Sequence, residues 1–178
     1  MNSMRYEIGS PVRCVTGESC GDIARVHVEP RTGVLSHLVV APPGGAPLRM
    51  VPACHAHGRA WGVQLTCTPG QFTRLEEAPP EPGAQPPGGA PYGAVIRRGQ
   101  PVRAVDGSTG RFRGVIVDGA SGRVTRALVD EGRLWWRKTV GIPAGVLQWR
   151  ADGSVRVGLE GRTIKRLPRV NAGLREFW

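Results

Sequence analysis

The sequence predicts an all-β protein made of two small β-barrels in tandem, joined by a Pro/Gly-rich linker. Three observations carry this. Glycine and proline number 26 and 16 among 178 residues, and the longest stretch free of both is Arg123–Glu131. An ordinary helix runs about 10–14 residues and tolerates neither residue in its interior, so bundles and helix-alternating folds are excluded. The chain also repeats itself, and each repeat alternates short apolar runs with turn residues.

The repeat is read directly. Gly9-Ser-Pro-Val-Arg-Cys-Val-Thr-Gly17 returns as Gly99-Gln-Pro-Val-Arg-Ala-Val-Asp-Gly107. Gly21–Val40 then matches Gly110–Val129, with Gly21, Val26, Val28, Gly33 and Val40 meeting Gly110, Val115, Val117, Gly122 and Val129. Val51-Pro52-Ala53 meets Ile142-Pro143-Ala144, and Phe72–Leu75 meets Ile164–Leu167. The division that follows is a first barrel over 5–77, a linker over 78–93, a second barrel over 94–170 and a tail over 171–178. Most of the residues in 78–93 are Pro or Gly, a composition that builds no packed core. The two barrels are therefore expected to fold independently.

Within the second repeat, Pro101–Val105 reads as a strand, Asp106-Gly107 as a turn and Phe112–Asp118 as a second strand. Ser121-Gly122 turns the chain into Arg123–Asp130, its glycine supplying the positive φ of a short hairpin, as Thr32-Gly33 does in the first repeat. Trp135–Pro143, Gly153–Leu159 and a closing segment at Thr163–Leu167 complete a meander. Rolling so small a sheet shut removes exposed edges.

These motifs resemble the PRC-barrel family. The second repeat carries the pattern in Gly99, Val102, Gly107, Gly110, Val115, Val117, Asp118, Ser121-Gly122, Leu128-Val129 and Ile142-Pro143. The first carries it in Gly9, Val12, Gly17, Gly21, Val26, Val28, Glu29, Thr32-Gly33, Leu38-Val39-Val40 and Val51-Pro52, with Glu29 replacing the usual Asp. The resemblance spans roughly residues 9–75 and 99–167. The family includes the cytoplasmic domain of the photosynthetic reaction-centre H subunit and the C-terminal domain of the ribosome maturation factor RimM. It implies a docking module without catalytic residues of its own.

Charge is unevenly placed. The formal net charge is +10, and residues 94–178 account for all of it, residues 1–93 being neutral. A basic half attracts phosphates, anionic lipid or an acidic protein face. The run Arg133-Leu134-Trp135-Trp136-Arg137-Lys138 places adjacent tryptophans on opposite faces of a strand, so one of them is a candidate anchor outside the barrel. Arg126, Arg133, Trp135, Trp136, Arg137, Lys138 and Trp149 form the expected partner-binding set. A protein partner leads, because no nucleic-acid motif is present. An RNA- or ribosome-associated factor, and a peripheral component at an anionic membrane surface, are the alternatives.

No small-molecule substrate and no cofactor is expected. The cysteines and histidines all lie in the first half. Cys54, His55, His57 and Cys67 are the only metal candidates, with His55 and His57 sharing one strand face, but their spacing is not that of a zinc site and none is expected. Asp118 and Glu29 occupy equivalent positions beside the turns, which points to a structural role. No nucleophile–base pair, paired carboxylate set or phosphate loop is found, so the chain reads as a non-enzyme. No apolar run reaches the ~18 residues of a membrane span. The N-terminal residues lack a signal-peptide core, so a cytoplasmic setting with reduced thiols is expected.

Overall fold

A computed structural model describes residues 2–79, 94–107, 109–131, 138–150 and 154–170. The first repeat contributes β1 (Ser3–Glu7), β2 (Pro11–Arg13), β3 (Ser19–Val28), β4 (Leu35–Ala41), β5 (Arg49–Pro52), β6 (Ala56–Arg59), β7 (Gly62–Leu65) and the short helix α1 (Pro69–Phe72). The second contributes β8 (Ala94–Arg97), β9 (Pro101–Ala104), β10 (Thr109–Asp118), β11 (Val124–Glu131), β12 (Lys138–Pro143), β13 (Leu147–Trp149), β14 (Val155–Val157) and α2 (Gly161–Arg166). The protein is mostly β, in two seven-stranded sheets.

The sheets have matching orders, β5-β4-β3-β2-β7-β6 and β12-β11-β10-β9-β14-β13. Neither is a plain meander. After β5 and β12 the chain passes through a short 3-10 turn and a hairpin, which lays β7 parallel to β2 and β14 parallel to β9. The closing segments are helical, not extended. Thr68 caps α1 in a reciprocal box with Gln71, with Pro69 in the first turn. At α2 the Lys138 ammonium reaches the carbonyls of Lys165 and, at 3.0 Å, Leu167, where a cation suits exposed C-terminal carbonyls.

The seventh strand of each sheet comes from the other repeat. β1 runs antiparallel to β10, Tyr6 opposite Val115, and β8 runs antiparallel to β3, Val95 opposite His27. Independent folding of the two repeats is therefore corrected: each sheet is completed by its neighbour's leading strand. One core follows from the exchange. Tyr6, Ile8 and Ile96 join Val12, Val26, Leu38 and Leu65 to Val102, Val115, Val129 and Ile142 in a single buried cluster. The Tyr6 hydroxyl, on a strand of the second sheet, donates to the Ala56 carbonyl of the first at 2.8 Å, and burial pushes its pKa up to about 12.

The repeats also meet at their turns. Val34 bridges Arg123, and the flanking backbone exchanges two hydrogen bonds across a pseudo-twofold axis. The outer edges are covered locally: the Met50 N–H donates to the Glu76 carbonyl, and the Val170 N–H donates to Thr139. Such cover blunts edge-to-edge aggregation.

Candidate docking surface

The expected partner-binding set divides into three parts. Arg133, Trp135, Trp136 and Arg137 lie outside the described residues. Arg126 and Lys138 are half-buried on β11 and β12. The Arg126 stem lies over Gly141, where a Cβ would approach its Cδ to 3.1 Å. Lys138 holds the end of α2. Trp149, on β13, is half-buried and packs on the core, while Gln148 beside it is exposed. The two described cations sit on neighbouring strands; Trp149 belongs to the other end of the same sheet.

Exposed arginines are spread more widely over the second repeat than that set foresaw. Arg103, Arg111, Arg123, Arg156, Arg162 and Arg169 are all exposed. Arg113 is different: it is half-buried and held by Glu7 of β1, Nε to Oε2 at 2.7 Å, with Asp130 at 3.6 Å. The hydrogen bond to Glu7 raises its pKa further. Glu7 also pairs with Arg5 at 2.5 Å. These four side chains form a clasp on the exchanged strand.

The turn carboxylates do the structural work expected of them. The Ser121 hydroxyl and N–H donate to Asp118 Oδ2 at 2.6 and 3.1 Å, which lowers the Asp118 pKa. The Arg31 N–H donates to Glu29 Oε1 at 3.1 Å. Sequence and structure agree on this pair.

The first-half cysteines and histidines are arranged differently from the expectation. Cys14 and Cys20 form a disulfide that staples the β2–β3 hairpin, which corrects the reading of all four cysteines as reduced thiols. Their spacing brings them opposite one another across the tight turn. His55 closes a 3-10 turn instead of lying in a strand with His57, and its Nδ1 is 3.0 Å from Thr66 Oγ1. Cys54 is exposed, and burial raises the pKa of the half-buried Cys67. Among the described residues, no three Cys, His, Asp or Glu side chains converge as a metal set. His27 and His37 do meet, as a cross-strand pair with ring centroids 6.5 Å apart and edge to face. Burial lowers the His37 pKa, the charge of Glu76 opposing.

Among the described residues, no helix is long and apolar enough to cross a membrane. No protein-family model matches the chain, and no curated protein matches it in sequence.

Proposed function

We propose that the chain is a non-enzymatic adaptor built from two PRC-type barrels, docking a protein partner mainly through the basic second repeat. The observation that carries this reading is the placement of the whole +10 charge in residues 94–178. Arg103, Arg111 and Arg156 stand on β9, β10 and β14, whose inward residues belong to the shared core, so the backbone that presents them is ordered before binding. The two matching sheets and their repeated turns support the barrel reading. The run from Arg133 to Lys138 adds two tryptophans to the basic half, and aromatic anchors among arginines are the usual energetic centre of an interface.

The test uses the full chain and a Trp135→Ala/Trp136→Ala/Arg137→Ala variant, both checked for native circular dichroism. After nuclease treatment, the native chain should retain specific protein partners that the folded variant loses. Equal retention by both would reject this surface. Binding that vanishes on nuclease treatment and falls steeply with salt would instead favour the RNA-associated alternative, because neutralised phosphates release counterions. A requirement for anionic vesicles would favour the membrane-surface alternative.

A further inference from the structure

We propose that the cleft over β9, β14 and β13 binds a small soluble phosphate monoester, held by Arg103 and Arg156. The cleft has a volume of about 400 Å³ and is lined by Arg103, Val105, Gly107, Gln148, Arg156 and Gly158 among others. That volume falls within the range of small-molecule sites.

Register builds the site. Arg103 and Arg156 are direct partners in the parallel β9–β14 pair, and Gln148 faces Arg156 from β13. All three residues are exposed and form one row across three strands. Like charges directly opposite one another on neighbouring strands are destabilising. Among the described residues, none lining the cleft is acidic and neither arginine side chain has an ion pair or hydrogen bond. A dianion seated between them removes the repulsion.

The first repeat supplies an internal control. Its matching row is Arg13, Gln64 and His57, in the same register. There the second arginine is replaced by Gln64, whose amide donates to the Cys14 carbonyl. Arg13 lies over the Trp61 ring, 5.0 Å from its centroid. Of that row, Gln64 and Arg13 thus have internal partners. In the second repeat the register is the same, and a second cation, Arg156, stands where the first has Gln64.

The chemistry of the row selects the ligand. Two guanidinium forks match the oxygens and double charge of a phosphate monoester better than the single charge of a carboxylate. Gln148 adds a donor and an acceptor for a neighbouring polar group. Val105, which is 67 % exposed at the rim, offers apolar contact to the organic part. Gly107 and Gly158 keep the mouth open: a Cβ at Gly107 would meet nothing within 4 Å, and one at Gly158 only the Val146 carbonyl at 3.6 Å.

The experiment titrates the full chain with phenyl phosphate, benzoate and phosphatidic acid vesicles, using amide chemical shifts and calorimetry. Phenyl phosphate should bind saturably, with the largest shifts at 103–107, 148 and 156–158. Arg103→Gln and Arg156→Gln, both at exposed positions, should each weaken it at least tenfold, while Arg13→Gln leaves it unchanged. Equal binding of benzoate, binding to vesicles alone, an equal loss in Arg13→Gln, or no saturable binding would each overturn the proposal.

Discussion

Gly33 and Gly122 are counterparts across the axis that relates the two repeats. The Gly33 carbonyl accepts from the Val124 N–H at 2.8 Å, and the Gly122 carbonyl accepts from the Leu35 N–H at 3.0 Å. Both glycines have positive φ, 67° and 68°, and so each turn closes its own hairpin while presenting its carbonyl to the other repeat. One local conformation thus serves two levels of structure. An L-residue pays a backbone cost of about 1–2 kcal/mol there. Gly122→Ala should lower stability by about that amount, and Gly33→Ala should match it within a factor of two. Urea denaturation of the single and double variants checks this; a neutral Gly122→Ala would show that the turn relaxes freely.

The exchanged strands make the repeats interdependent. A fragment of residues 94–178 lacks β1, and so one edge of β10 and the Glu7 clasp on Arg113 are lost. Its own β8 is left without β3. Two such fragments can satisfy each other by swapping β8, the reciprocal contact that symmetric dimers use. The fragment should therefore be unfolded when dilute and dimeric when concentrated. Analytical ultracentrifugation with circular dichroism decides the matter, and a folded monomer at low concentration would show that the exchange is dispensable.

Gly114 is where the exchanged strand comes closest. A Cβ built there would lie 2.3 Å from the Tyr6 carbonyl and 2.8 Å from the Glu7 Cα, both rigid backbone atoms. The repeat counterpart is Arg25, so the close approach is peculiar to the β1–β10 pair. Gly114→Val must push β1 outward and disturb Tyr6 beneath it. Overpacking of this kind costs about 1–3 kcal/mol. The loss should appear in hydrogen exchange first at the amides of 3–8. Uniform loss across both sheets, with β1 no more exposed than the rest, would contradict a local displacement.

The repeat, the turns and most strands were legible in the residues because each is a local signal: paired glycines, alternating valines, Ile/Val-Pro. The exchange was not. Self-comparison starts at Gly9 and Gly99, just after Ser3–Glu7 and Ala94–Arg97, and those two strands share no pattern that would mark them as equivalent. Alternation of Met4, Tyr6 and Ile8 could have revealed a strand, but not which sheet it joins. The proline-rich composition of 78–93 reads as separation, yet it carries no information on strand pairing across it. The site was hidden in the same way. Arg103 and Arg156 are distant in sequence and meet only because β14 lies parallel to β9. Lys138 looked like part of a surface run, and its actual acceptors are the carbonyls at the C-terminal end of α2.

Tyr6 and His37 give stability an alkaline and an acidic limit. The Tyr6 pKa rises from 10.0 to about 12 on folding, through burial. Below pH 10 its contribution is fully present; between 10 and 12 the unfolded chain loses its proton first, so stability falls as pH rises. His37 works the other way. Burial lowers its pKa below the usual 6.5, so as pH drops under that value the unfolded chain binds a proton first and stability falls until the folded form also titrates. Urea midpoints from pH 4 to 12 should therefore trace a plateau with two shoulders. Tyr6→Phe removes the alkaline shoulder and, by leaving the Ala56 carbonyl unmatched, costs about 1–2 kcal/mol on the plateau. His37→Gln flattens the shoulder below pH 6.5 and leaves the alkaline one intact. An alkaline shoulder that survives in Tyr6→Phe would remove the hydroxyl, and with it the tie between the two sheets, as its cause.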